Sequence, residues 1–242
     1  MNIGNRIYTE FDRTSACVIE MYRGLPASNI NDEMNRLYSF HAYMYLLNPE
    51  TFDGNMVGPA LTVKCPAGDN LFFHQALDLA QPGDIVVVDA GGCANRSVAG
   101  EIMMRFACEK GIAGIVVDGY MRDLDGIKKL PMPVYARGVT PQGPYKNGPG
   151  EINVPVSCGG QVVFPGDVLV GDKDGLVVIR HQDAREVAEA AQKKKSEEDK
   201  IFALIQSDLN AYAAKHRQTT EKRMENKNIE TINERYIEHY KL

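Results

Sequence analysis

The chain has little cysteine to work with. Its five thiols (Cys17, Cys65, Cys93, Cys108 and Cys158) are scattered, odd in number and form no CxxC pair. That spacing offers neither a disulfide framework nor a four-cysteine metal site, and it fits reduced thiols in a cytoplasmic protein. The five histidines (His41, His74, His181, His216, His239) lack the clustered spacing that zinc requires. No stretch approaches the roughly 20 apolar residues of a membrane span. The opening "MNIGNRIYTEFDRTSACVIEMYRG" lacks a basic segment running into an apolar core. Neither a membrane partner nor a secretory signal is therefore expected. The net charge of −5 comes without a basic block, which weighs against nucleic acid as a partner. The glycine patterns of dinucleotide and P-loop sites are missing, as are the signatures of serine-nucleophile enzymes. What remains is a chain of 242 residues, 44% apolar and 24% charged, with 22 glycines and 12 prolines. A chain of this size buries a sizeable core without staples.

Three textures follow one another. Residues 1–56 read as a mostly helical segment, with Ser28 or Asn29 as a helix cap and Met34, Leu37 and Tyr38 at helical spacing. Residues 57–182 carry short β-branched runs cut by Gly and Pro: "ALTVKC", "DIVVVDA", "GIAGIVVDG", "PVYARG", "QVVFPGDVLVG" and "GLVVI". Two helices lie among them. "DNLFFHQALDLAQPGD" is closed by Pro82-Gly83, and "SVAGEIMMRFACEKG" turns Ile102, Met103, Phe106 and Ala107 inward and stops at Gly111. Strand–helix–strand order with continuous apolar strands predicts an α/β fold with a parallel portion buried on both faces. The later strands stand too close together for crossover helices, so the sheet is expected to be mixed. Residues 183–242 form a C-terminal helical extension, with Ile201, Leu204, Ile205, Leu209 and Tyr212 on one stripe and a polar tail beyond. An apolar stripe of that size must be covered, by its own domain or by a second copy.

The candidate site lies at two strand ends. In "VVDGYMRDLDG" a buried strand runs to Gly119, taken as the bend, and Arg122 and Asp123 follow it. Residues just past the carboxyl ends of buried strands are where α/β sheets present their chemistry. In "DAGGCANRSVAGEIMM" a strand ends at Asp89 and a helix opens near Gly100. The first amides of that helix have no partners within it and lie at its positive end, a receptor for a carboxylate or phosphate. Together the two ends offer amide donors, one cation and one hard oxygen ligand. A lone carboxylate with water suits Mg²⁺ or Mn²⁺. The chemistry favoured is that of an oxyanion beside a carboxylate, the enolate of a 2-oxo acid.

The blocks "GPALTVKCPAGDNLFFHQAL", "QPGDIVVVDAGG", "GEIMMRFACEKGIAGIVVDGYMRD", "PVYARGVTP" and "NVPVSCGGQVVFPGDVLVGDKDGLVVI", in that order, resemble the family of the 4-hydroxy-4-methyl-2-oxoglutarate aldolases. That family also contains the regulator of ribonuclease activity A. Its members often carry a dimethylmenaquinone methyltransferase label. The resemblance covers about residues 57–191 and reaches back more loosely to "ASNINDEM". It implies a compact α/β/β/α sandwich, homotrimers or hexamers with sites at subunit interfaces, and a metal-dependent class II aldolase that releases pyruvate and decarboxylates oxaloacetate. Carried over by position, Arg122 matches the substrate-binding arginine and Asp123 the metal-ligating aspartate. Gly100, Glu101, Ile102 and Met103 match the segment that binds the substrate carboxylate. Glu197 or Glu198, and Asp32, match acids that reach a neighbouring subunit's site.

No lysine is needed as a Schiff base in such chemistry, so Lys64 and Lys110 read as structural or surface residues. Asp69 reads as a helix cap and His74 as a packing residue. A non-catalytic regulatory binding protein is the alternative reading. The methyltransferase label finds no glycine turn placed for S-adenosylmethionine.

Overall fold

The apolar runs become strands whose alternate side chains face two different cores. The computed structural model describes residues 2–225, 227, 229–233 and 235. The elements run β1 (Asn5–Ile7), α1 (Ala16–Met21), α2 (Ala27–Glu33), β2 (Tyr45–Leu46), β3 (Met56–Lys64), α3 (Leu71–Leu79), β4 (Ile85–Asp89), β5 (Ser97–Ala99), α4 (Glu101–Glu109) and β6 (Gly114–Met121). Then follow α5 (Leu124–Ile127), β7 (Val134–Val139), β8 (Gly150–Ile152), β9 (Val156–Cys158), β10 (Gln161–Val163), β11 (Val168–Asp172), β12 (Gly175–Ile179), α6 (Ala184–Ser207) and α7 (Leu209–Glu225). Two units are distinguished, Met1–Lys194 and Lys195–Leu242.

In the first unit β3, β4, β6 and β7 lie parallel and adjacent, joined by α3 and α4 as crossovers. Within β4, Val86 and Val88 point to a core shared with α3 and α4, whereas Ile85 and Val87 point to the opposite one. β6 repeats the alternation with Ile115 and Val117 on one side and Val116 on the other. Each such valine or isoleucine contributes roughly 1.5–3 kcal/mol by leaving water. β3 serves both halves of the fold. Its residues Ala60–Lys64 pair with β4, and its first residues, Met56 to Pro59, pair antiparallel with β11, which pairs in turn with β12. The second core lies between the parallel strands and the layer that holds Val156, Cys158, Val163, Leu169 and Val178. A third core sets Val168, Val170, Val177 and Ile179 against α1, α2 and the start of α6 through Val18, Ile30, Ala184, Ala188 and Ala191. The layers are helix, sheet, sheet, helix: the expected α/β/β/α sandwich, with the expected mixed strand directions.

Four local expectations are corrected. The N-terminal segment is not mostly helical, because α2 stops at Glu33. Asn35 and Arg36 take left-handed conformations (φ 55° and 63°), which Asn tolerates better than most residues and which end the helix. Leu37 is consequently 67% exposed and Tyr38 is also exposed. In α4 the inward face is Met103, Met104 and Ala107, whereas Ile102, 83% exposed, and Phe106 face outward. The pair 102/106 and the set 103/104/107 are both helically spaced, and periodicity alone did not separate them. Gly119 is not the bend. β6 runs through it to Met121 with an irregular register between Val117 and Tyr120, and a Cβ at 119 would meet that of Ala90 at 3.0 Å. The turn falls instead at Asp123 (φ 60°). Lastly, the C-terminal helix is two helices, interrupted at Asp208, whose Oδ1 accepts the Ala211 amide at 2.9 Å as a new cap. The stripe is thereby divided, with Ile201, Leu204 and Ile205 on α6 and Leu209 and Tyr212 on α7. Most of the polar tail after residue 225, including His239, lies outside the described residues.

Candidate active site

Four segments close around a cavity of about 310 Å³. The start of α3 brings Asn70 and His74, and the β5–α4 junction brings Ala99, Gly100, Ile102 and Met103. Arg122 and Asp123 come from the end of β6, and Gly143, Pro144 and Lys146 from the β7–β8 loop. Five of the six residues singled out from the sequence therefore stand on one wall. The sixth, Glu101, contributes its amide rather than its side chain. Its N–H donates to Asp123 Oδ2 at 3.2 Å, while its carboxylate pairs with Arg105 at 2.6 Å.

Asp123 sits in a left-handed conformation that non-glycine residues rarely take, at a cost of order 1 kcal/mol or more. The backbone around it fixes that conformation. Arg122 N–H donates to Ala99 O at 3.0 Å, and the amides of Gly126 and Ile127 donate to Asp123 O at 3.0 and 3.1 Å. The carboxylate is thus turned back onto the N-terminus of α4. There the helix leaves the amides of residues 101–103 without intrahelical partners. Arg122 Nε lies 3.5 Å from Asp123 Oδ2, too far for a good hydrogen bond, and it is buried with no other partner. Gly100 is required by closeness. A Cβ there would collide with Asp123 Oδ2 and lie 2.8 Å from Arg122 Cγ.

The facing wall is anchored just as firmly. Asn147 N–H donates to Asp69 Oδ2 at 2.7 Å, Tyr145 N–H to Gly68 O at 2.8 Å, and Asn70 N–H to Tyr145 O at 3.0 Å. Arg96 lies 4.0 Å over the Tyr145 ring and donates to Gly143 O at 2.6 Å. Asp69, read as a cap, does accept the Leu71 amide at 3.0 Å, and it anchors this loop as well. His74, read as a packing residue, is half-buried on the cavity wall. Burial, and secondarily the Lys146 ammonium, hold its pKa below the ordinary imidazole value.

Asn70, Gly143 and Lys146 escaped the sequence reading. Asn70 stands inside a conspicuous block, but its neighbour Asp69 carried the more obvious role. The loop "PQGPYKNGPG" carries no periodicity that would single out a lysine.

The other candidates lie elsewhere. Asp32 pairs with Arg36 and Lys194, each at 2.9 Å, and is not on the cavity wall. Glu197 and Glu198 stand on α6 in the second unit. Lys110 Nζ donates to Leu77 O at 2.7 Å and closes the end of α3, a structural role. All five thiols are free, and burial pushes Cys65 up to about 12. Among the described residues no group of three or more His, Cys, Asp or Glu could cage a metal ion, and no helix is long and apolar enough to cross a membrane.

The chain is thus an α/β/β/α sandwich with its candidate site at the strand ends. The family model described as RraA-like, Aldolase/RraA, matches residues 27–178, and the chain belongs to that family. A Halalkalibacterium halodurans protein, provisionally named a 4-hydroxy-4-methyl-2-oxoglutarate aldolase, is 38% identical over 196 residues, 81% of this chain and 92% of its own. Two solved structures share the fold over most of the chain. An uncharacterized Pseudomonas syringae protein is 27% identical with a TM-score of 0.72, covering 82% of this chain and 96% of its own. Streptomyces coelicolor RraAS2, described as an unusual member of the RNase ES inhibitor RraA family, is 28% identical with a TM-score of 0.70, covering 80% of this chain and all of its own.

Proposed function

We propose that the chain is a divalent-metal-dependent carbon–carbon lyase that cleaves a 4-hydroxy-2-oxo acid to pyruvate and also acts on oxaloacetate. One observation carries this reading: Asp123, held left-handed with its carboxylate turned onto the α4 N-terminus, shares a cavity with Arg122. A protein that acted only by contacting a partner would have no need to hold a strained carboxylate there. The donor set fits Mg²⁺ or Mn²⁺. Asp123 Oδ1 has no hydrogen-bond partner among the described residues, and one hard carboxylate supplemented by water is the arrangement Mg²⁺ accepts. Asp123 would hold the ion, and the ion when bound supplies Lewis-acid polarisation of the 2-oxo group.

The chain's own residues do the rest. The amides of Ile102 and Met103, next after the Glu101 amide held by Asp123, and the Arg122 guanidinium bind the substrate carboxylate and orient the 2-oxo group toward Asp123. Arg122 lies where the enolate charge develops as the C–C bond breaks, and its stabilising effect is greatest there. Lys146 and the neutral His74 line the other side, toward the substrate's far end. Exposure of Ile102, on the cavity wall, and of Phe106 one turn further along α4 supports a homotrimer or hexamer in which a second copy covers that face.

A pyruvate-release assay over a panel of hydroxy-oxo acids with Mg²⁺, Mn²⁺ or EDTA tests the reading. Asp123→Asn should keep the fold and lower kcat by about 10²-fold or more. Full activity in EDTA would end the metal-lyase reading.

A further inference from the structure

Four buried side-chain atoms among the described residues lack hydrogen-bond partners, and two of them, Arg122 Nε and Asn70 Oδ1, belong to residues that line the cavity. The first is a donor and meets the carboxylate or carbonyl oxygen of an oxo acid. The second is an acceptor, and its need is different. Asn70 is 2% exposed. Its Nδ2 donates to Val98 O at 2.7 Å and approaches Met103 Sδ at 3.5 Å. That contact fixes the orientation of the amide, because the reverse would set two oxygens against each other. Oδ1 is therefore held as an acceptor, and the donors that also line the cavity, Arg122, His74 and Lys146, form no hydrogen bond to it. An unpaired buried acceptor is costly, so the missing donor is most naturally supplied by what fills the cavity. Carboxylates and ketones only accept. Among the groups of a 4-hydroxy-2-oxo acid, the hydroxyl alone can donate.

We propose that Asn70 Oδ1 accepts the hydrogen bond of the substrate hydroxyl and is the residue by which this cavity distinguishes hydroxylated 2-oxo acids from those without the hydroxyl. The inference rests on the lyase reading above. Asn70 positions the hydroxyl in the bound substrate and takes no proton itself; when the C–C bond breaks, that proton leaves to a cavity water and the bonding pair becomes the pyruvate enolate.

The test is a cycle between residue and substrate. kcat/KM is measured for cleavage of 4-hydroxy-2-oxoglutarate and for decarboxylation of oxaloacetate, which has no hydroxyl in its keto form. Wild type is compared with Asn70→Ala and with Asn70→Ser. Damage from losing the Val98 contact strikes both substrates and cancels in the ratio. The hydroxylated substrate should lose about tenfold more than oxaloacetate in both variants, the size of one hydrogen bond. Equal losses would overturn the role of Asn70 and leave the lyase reading standing. A wild type that cleaves no hydroxylated acid overturns the lyase reading itself. Should neither variant fold, the wild type decides: 2-oxoglutarate should bind as a competitor about tenfold more weakly than its 4-hydroxy form, and equal binding refutes the proposal.

Discussion

Replacing Gly100 by alanine is the sharpest perturbation of the site. The backbone there has φ −148° and ψ −167°, an extended conformation open to any residue, so the substitution adds no backbone strain. Its whole effect is one methyl group. That carbon would lie 2.8 Å from Arg122 Cγ and nearer still to Asp123 Oδ2. Carbon atoms in ordinary contact stand about 3.5–4.0 Å apart, so the Arg122 stem must retreat by about 1 Å and the carboxylate must swing off the α4 amide. Both side chains are partly exposed and have room to move. The stability cost is therefore small: the loss of glycine as helix cap plus local rearrangement, about 1 kcal/mol. That corresponds to a fall in Tm of about 2–4 °C for a domain of this size. Displacing two binding groups by 1 Å costs about 10²-fold in kcat/KM. The assay pairs pyruvate release with calorimetry on the same preparation. Wild-type turnover in a folded Gly100→Ala protein would show that the observed placement of Arg122 and Asp123 is not the working one.

Two further outcomes follow from the cavity lining. Arg122→Lys keeps the charge but loses the planar pair of donors, and kcat/KM should fall by about 10²-fold while Tm hardly moves; unfolding would instead reveal a structural role for the guanidinium. Lys146→Gln removes the like charge facing His74 and should raise the imidazole pKa, read from ring resonances in an NMR titration. Because folding depresses this pKa, the unfolded chain takes up the proton first, so the stability contributed by neutral His74 is present above about 6.5 and is lost as pH falls below it. The variant should soften that loss, and an unchanged titration would refute the coupling.

Much of the sandwich was legible because its strands are buried on both faces. Runs such as "DIVVVDA" have no polar face to misplace, and chain order plus glycine punctuation located most of them. Arg122 and Asp123 were legible because they follow such a run directly. The N-terminal segment was not. Met34, Leu37 and Tyr38 satisfy a helical period, yet two residues in left-handed conformations intervene, and local spacing holds no record of them. The inward face of α4 was ambiguous for a related reason, since apolar residues occupy most of its circumference and only the packing partner selects among them. Asn70 and Lys146 were hidden differently. Their importance arises from a loop that returns some seventy-five residues later to cover the start of α3.

The double duty of β3 bears on how the chain reaches this structure. Met56 pairs with Gly171, more than a hundred residues downstream, while the other half of the strand pairs with β4 close by. During synthesis the parallel strands can assemble under α3 and α4 as soon as β7 emerges. One face of that half-built sheet (Ala60, Ile85, Val87, Val116, Tyr135) has only Phe40, Met44 and Phe52 to cover it until β9 to β12 arrive. Closure of so long a loop makes folding slow, and the waiting face is one that sticks to its like. The step that completes the molecule is thus the capture of a late hairpin by an early strand, and aggregation competes with folding in the interval before it.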